Sequence, residues 1–237
     1  MKNDVSKLIV ALDFNRDGPV KELVRQLDPA YCRVKVGKEL FTACGPFIVE
    51  YIQRQGFEVF LDLKFHDIPS TVAKAVKSAA NLGVWMVNVH CSGGARMLEA
   101  AAESLALMQR PPKLIGVTVL TSMDKSDLLS VGIDQEPAAR VMALADLAKK
   151  SGLDGVVCSA WEAAAVKRGA KSSFIAVTPG IRPYASDHGD QRRVMTPIQA
   201  IAGGSDFIVV GRPITQAKDP LQVCVDIALE LEGQGEK

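Results

Sequence analysis

Residues 58–65 read Glu58-Val59-Phe60-Leu61-Asp62-Leu63-Lys64-Phe65. The run is apolar enough for a strand covered on both faces, yet it carries two charges near its end. Asp62 and Lys64 stand two apart, which on a strand puts their side chains on one face. Phe60 shares that face, while Val59, Leu61 and Leu63 point the other way. Residues 71–81 (TVAKAVKSAAN) follow with helical composition. A doubly covered strand succeeded by a helix is the unit of a parallel α/β sheet.

The same unit recurs on either side. Short Val/Ile/Leu runs occupy residues 8–14 (LIVALDF), 33–37 (RVKVG), 85–91 (WMVNVHC), 114–121 (LIGVTVLT), 155–160 (GVVCSA), 174–179 (FIAVTP) and 206–211 (DFIVVG). Helical segments such as 138–150 (AARVMALADLAKK) separate them. Eight alternations in 237 residues fit one α/β domain, a single (β/α)8 TIM barrel spanning residues 1–237. The competing doubly wound open sheet would want a Gly-rich turn after the first strand, where Asp13-Phe14-Asn15-Arg16 stands instead. No linker or low-complexity tract marks a second domain.

Composition narrows the class. Hydrophobic residues make up 48% and charged residues 23%, which excludes disordered and fibrous chains. Lys and Arg number 28 against 27 Asp and Glu, so no general attraction to nucleic acid or anionic membrane is expected. No run approaches the roughly 18 apolar residues of a membrane span. The polar N-terminus leads straight into a strand, which predicts no signal peptide. Cys32, Cys44, Cys91, Cys158 and Cys224 are odd in number and lack metal-ligand spacing. They read as reduced thiols of a cytoplasmic protein.

Ligand sites in such sheets gather at the C-terminal strand ends, so polar residues there carry the functional signal. Asp13 ends the first strand, Lys35 lies in the second, Asp62 and Lys64 end the third, His90 the fourth and Thr121 the fifth. Asp67 follows in the loop His66-Asp67-Ile68-Pro69. Two lysines and two carboxylates can alternate in sign, since an isolated buried charge is costly. One alternative is a structural ion-pair ring closing the barrel. A lysine between the carboxylates argues against a divalent cation.

A second cluster runs Thr178-Pro179-Gly180-Ile181-Arg182-Pro183, then a polar loop through Gly189, Asp190 and Gln191, then Gly211-Arg212-Pro213. Barrel enzymes often hold phosphate between the loops after strands seven and eight, aided by a short helix. Gly211 permits close backbone approach, and Arg212 offers a bidentate donor. Residues 182–193 suit a lid, or alternatively a plain solvated loop. His66, His90 and His188 read as loop or strand-end residues, and neither Cys91 nor Cys158 has an evident base partner.

Asp62-Leu63-Lys64-Phe65-His66-Asp67-Ile68-Pro69 resembles the Asp-x-Lys-x-x-Asp signature of the orotidine 5′-phosphate decarboxylase family. Leu12-Asp13, Lys35-Val36-Gly37, residues 177–183 and Gly211-Arg212-Pro213 fall in the family's order, so the likeness covers essentially the whole chain. Residues 117–123 and 190–197 are similar to the bacterial-type branch. The resemblance implies conversion of orotidine 5′-phosphate (orotidylate) to uridine 5′-phosphate (uridylate) and carbon dioxide, the last step of pyrimidine nucleotide synthesis, with no metal or organic cofactor. It implies Lys64 as proton donor to pyrimidine carbon six, Asp62 beside the departing carboxylate, and Lys35 and Asp67 as the groups orienting them. Asp13 and Lys35 would reach the ribose, Thr121 and Ser122 the pyrimidine, and Arg182, Gln191, Gly211 and Arg212 the phosphate. Asp67 and Thr71 would act across a homodimer interface. Two rivals stay open on the sequence. One is a magnesium-dependent relative, a 3-keto-gulonate-phosphate decarboxylase or hexulose-phosphate synthase. The other is a nucleotide-binding barrel without turnover.

Overall fold

The computed structural model describes residues 6–183 and 195–232. Eight parallel strands close into one barrel in chain order, with β8 pairing back onto β1. They are β1 (Leu8–Leu12), β2 (Arg33–Gly37), β3 (Val59–Phe65), β4 (Met86–His90), β5 (Lys113–Val117), β6 (Gly155–Val157), β7 (Ile175–Thr178) and β8 (Phe207–Val210). Helix α1 (Asp17–Gln26) follows β1, α2 (Lys38–Cys44) and α3 (Pro46–Arg54) follow β2, and α4 (Pro69–Asn81) follows β3. A 3-10 turn (Cys91–Gly93) and α5 (Ala95–Glu103) follow β4, and α6 (Lys125–Ser130) and α7 (Pro137–Lys150) follow β5. Helices α8 (Ala160–Lys167), α9 (Pro197–Ala202), α10 (Arg212–Thr215) and α11 (Pro220–Glu232) complete the ring. The expected TIM barrel is therefore the observed fold. Among the described residues no helix is long and apolar enough to cross a membrane.

The two faces of each strand fill two separate cores. Ile9, Ala11, Phe60, Met86, Ile115, Ile175, Val177 and Val209 point inward and pack the barrel. Their neighbours Val10, Val34, Val59, Leu61, Val87, Leu114, Val156, Ala176 and Ile208 point outward under the helices. This is why the runs look apolar throughout rather than alternating. Phe60 and Leu61 fall on opposite faces, as the spacing around Asp62 predicts.

The N-terminal end of the barrel is closed by Arg33, whose guanidinium lies 4.3 Å from the Trp85 ring centre and 5.1 Å from that of Phe207. It also donates to Glu58 at 2.8 Å and to the Ser6 carbonyl at 2.6 Å. The inward positions of β2 thus run from Arg33 at the sealed end, through Lys35, to Gly37 at the open end. A Cβ at Gly37 would lie 3.4 Å from Lys35 Nζ and 3.5 Å from Asp13 Oδ1.

Three strands stop two or more residues short of the runs that announced them. β1 ends at Leu12, so Asp13 follows the strand rather than ending it, and β6 ends at Val157. β5 ends at Val117, so Thr121 lies in a turn four residues beyond it instead of closing it. The ladder partners of β5 end level with it, His90 against Val117 and Val117 against Val157, and a strand without partners cannot continue. Thr118 instead gives its N–H and its hydroxyl to the Val157 carbonyl. The apolar residues that follow, Val119 and Leu120, become the wall of a cavity.

Candidate active site

A cavity of about 790 Å³ opens at the C-terminal ends of the strands. Asp13, Lys35, Asp62 and Lys64 form one side of it. Thr121, Ser122, Arg182, Gly211 and Arg212 also line it, so nine of the expected residues share one space. Val117, Val119, Val157, Cys158 and Val177 supply an apolar wall. A charged side and a dry wall sharing one cavity is an arrangement in which electrostatic interactions strengthen.

The charges alternate as a chain, exposed at Asp13 and most deeply buried at Lys35 and Asp62. Lys35 Nζ donates to Asp13 Oδ1 at 3.2 Å and sits 3.1 Å from Asp62 Oδ2. Lys64 Nζ donates to Asp62 Oδ1 at 2.6 Å. The Asp13 side chain is 65% exposed, those of Lys35 and Asp62 about 11% and 10%. Burial pushes the Asp62 carboxyl upward, but Lys35 and Lys64 outweigh it and hold it below the ordinary carboxylate value. Burial likewise pulls Lys35 down, and Asp62 and Asp13 reverse this, leaving it above its ordinary value. Asp62 and Lys35 are therefore held charged at neutral pH.

Lys64 reaches Asp62 through an irregular backbone. It is the one non-glycine residue at positive φ (52°) among the described residues. The β3–β4 register shifts there, between Leu61 and Phe65. Its N–H donates to Asn88 Oδ1 at 2.8 Å, while Asn88 Nδ2 donates to Asp62 Oδ1 at 2.7 Å. Asn88 escaped the sequence reading, although an Asn in the apolar run WMVNVHC was a visible signal. Both Asp62 oxygens are thus engaged by ammonium or amide groups, a donor set that suits retained lysines better than a metal ion.

The other side of the mouth carries Arg182 and Arg212. Arg182 is only 7% exposed and gives a side-chain N–H to the Ile181 carbonyl at 3.0 Å. Its backbone N–H bonds the Met195 carbonyl, and Ile181 bridges Met195, so the start of the expected lid at Arg182 is tied to the chain just beyond residue 193. Residues 184–194, with Gln191, His188, Gly189 and Asp190, lie outside the described residues. Gly211 leads into the short helix α10, which starts at Arg212.

Asp67 and Thr71 do not join this cavity within one chain. Both are exposed. Asp67 accepts the Ile68 N–H at 2.6 Å and lines a second cavity of about 400 Å³ with His66, Ser92 and Arg96. His90 stacks obliquely on His66, ring centres 5.6 Å apart, at the end of β4. Burial, with His66, Lys38 and Lys64 nearby, lowers it to about 4, so its ring is neutral above that pH. Cys91 and Cys158 are held as thiols by burial, at about 12 for Cys91 and higher for Cys158, which agrees with a packing role.

Comparison with known proteins gives concordant results. A sequence model of the Orotidine 5′-phosphate decarboxylase / HUMPS family matches residues 6–227. A Teredinibacter turnerae protein named orotidine 5′-phosphate decarboxylase is 62% identical over 226 residues, 95% of this chain and 97% of its own length. A protein of the same name from Saccharophagus degradans is 58% identical, covering 95% and 94%. The crystal structure of orotidine 5′-phosphate decarboxylase from Lactobacillus acidophilus superposes with a TM-score of 0.84 at 38% identity, over 94% of this chain and 98% of that one.

Proposed function

The chain belongs to the orotidine 5′-phosphate decarboxylase / HUMPS family, and from that premise we propose that it decarboxylates orotidine 5′-phosphate to uridine 5′-phosphate. We read it as one barrel domain over residues 1–237, working as a cytoplasmic homodimer without metal or organic cofactor. The observation that carries the proposal is the Lys64–Asp62–Lys35 chain, 2.6 and 3.1 Å between charged atoms, set in the same cavity as Gly211 and Arg212.

The chemistry explains why such a chain is useful. Breaking the bond between carbon six and its carboxylate leaves the electron pair on carbon six, and carbon dioxide departs. No carbonyl adjoins that carbon to take up the charge. A fixed ammonium beside it stabilises the carbanion as it forms and requires no reorganisation at that moment. Lys64 Nζ fills this role and then gives its proton to carbon six, becoming a neutral amine that solvent reprotonates. Asp62 stands where the substrate carboxylate arrives, and Lys35 keeps it ionised. Asp13 and Lys35 meet the ribose hydroxyls, and Thr121 and Ser122 the ring. Arg182, Gln191, Gly211 and Arg212 take the phosphate, whose binding energy supports alignment at the distant ring. The dimer reading is supported by Asp67 and Thr71, exposed and outside their own chain's cavity, with Ile68 between them 64% exposed. In that reading they complete the partner's site, and Asp67 acts in catalysis there.

The test is ultraviolet absorbance of orotidylate mixed with purified protein in EDTA, with Lys64→Ala as control. Loss of orotidylate with the wild type, and turnover lower by about 10²-fold or more in the variant, is expected. Uridylate should still bind the variant, since the phosphate groups are untouched. Absence of turnover by folded wild-type protein in EDTA, with activity on a keto-sugar phosphate in magnesium, would overturn the proposal.

A further inference from the structure

Asn88 lies inside the barrel with no exposed surface, among Phe60, Met86 and Ile115 on the inward face, and does not line the cavity. A primary amide in such a place is costly unless all its groups are bonded. Its two partners are a backbone N–H and a carboxylate oxygen from residues two apart on β3. The bridge falls where the ladder breaks. Pairing passes from Leu61–Val87 directly to Phe65–Val89, so four steps along β3 answer two along β4. The Lys64 N–H thereby bonds a side chain rather than a strand carbonyl. Its left-handed conformation is strained in a residue with a Cβ, so something must hold it.

We propose that Asn88 is a positioning residue of the catalytic apparatus: it holds the left-handed turn that folds Lys64 back over Asp62, and it orients the Asp62 carboxylate between the two lysines. The role rests on the decarboxylase reading for its purpose, and on the geometry alone for its existence. The amide chemistry is selective. Leucine would fill the space but strand the Lys64 N–H and remove a donor from Asp62. Glutamine is one methylene too long for a packed barrel interior. An aspartate keeps the acceptor but brings a second carboxylate against Asp62, and two such groups at contact share a proton.

Asp62 faces Lys35 from β2, Lys64 from β3 and His90 from β4, with Asp13 behind Lys35. Asn88's N–H bonds the charged form of Asp62, so losing it favours protonation. The variants Asn88→Ala and Asn88→Asp separate the alternatives. In Asn88→Ala, kcat should fall by about 10²-fold, the loss that follows a misplacement of about 1 Å, while KM and uridylate affinity change little. Asn88→Asp is isosteric, and while it holds the shared proton it can both donate and accept. Its kcat should therefore exceed that of Asn88→Ala, and the ratio of the two should rise as pH falls. A third readout needs no turnover: the Asp62 carboxyl, followed by carbon NMR and assigned with Asp62→Asn, should titrate at higher pH in Asn88→Ala than in the wild type.

Near-normal kcat in Asn88→Ala would overturn the proposal, as would equal losses in both variants with no pH dependence. An unchanged Asp62 titration would do the same. If the wild type itself failed to act on orotidylate, the decarboxylase reading would fall while the NMR titration still decided whether Asn88 holds Asp62.

Discussion

Lys64 combines a charge, a left-handed backbone and a hydrogen bond to an inward side chain, and only the first of these is visible in its one-letter code. The spacing Asp62-x-Lys64 suffices to place both groups on one strand face. It does not reveal that the strand bulges at Lys64 so that the two side chains meet at 2.6 Å. His90 teaches the same lesson in pH. It ranked as a strand-end residue in the sequence, and the fold surrounds it with Lys38, Lys64 and His66, which with burial take it from 6.5 to about 4. Above pH 6.5 the ring is neutral in folded and unfolded chains alike. Between 6.5 and about 4 the unfolded chain takes up a proton that the folded one refuses, so stability falls as pH falls. His90→Asn should remove that component. The melting temperature of the wild type relative to the variant should drop across this window, and parallel curves would show that His90 plays no part.

At the scale of elements, the eight runs were legible because the outward faces of the strands are apolar and, apart from β2, their inward faces are largely so. Their ends were not, because a ladder stops where its neighbours stop. Residues 118–121 look like strand by composition but lack partners beyond His90 and Val157. β6 is the shortest strand, and Gly155 shows why its packing is tight. A Cβ there would come 2.3 Å from the Ile175 carbonyl oxygen and 2.7 Å from the Ile175 Cβ. The first of these is backbone and cannot rotate away. Gly155→Ala should therefore cost about 1–3 kcal/mol or more of stability, as overpacked cores do, read as a lower urea midpoint with an unchanged slope. A midpoint equal to the wild type would mean that β7 yields freely at this position.

For the whole molecule, one barrel collects nine expected residues in a single cavity and leaves Asp67 and Thr71 outside it. In the dimer reading those two serve the neighbouring subunit. Mixing two inactive variants tests this directly. Lys64→Ala lacks the proton donor, Asp67→Asn lacks the group lent to the partner, and both kinds of homodimer should be inactive. A mixed dimer pairs the intact Lys64 of one subunit with the intact Asp67 of the other, so co-refolded variants should regain activity. Failure to regain it, with mixed dimers demonstrated by mass, would confine Asp67 to its own chain. An active monomer in dilute-solution sedimentation would contradict the shared site altogether.

The sequence by itself determined the barrel, because burial on both strand faces and the helix–strand alternation are properties of residue order. It also put Asp13, Lys35, Asp62 and Lys64 at one mouth through strand ends and side-chain period, but it joined Asp67 rather than Asp13 to the alternating charges. Only the tertiary structure decided how those charges are held. Asn88 is separated from Asp62 by more than twenty residues and meets it only across the β3–β4 pair. Arg33 seals the far end only because Trp85, at the entry to β4, and Phe207 of β8 arrive beside it. Local order fixes the face on which a side chain lies, whereas its partners depend on register between strands, and a bulge such as that at Lys64 resets the register.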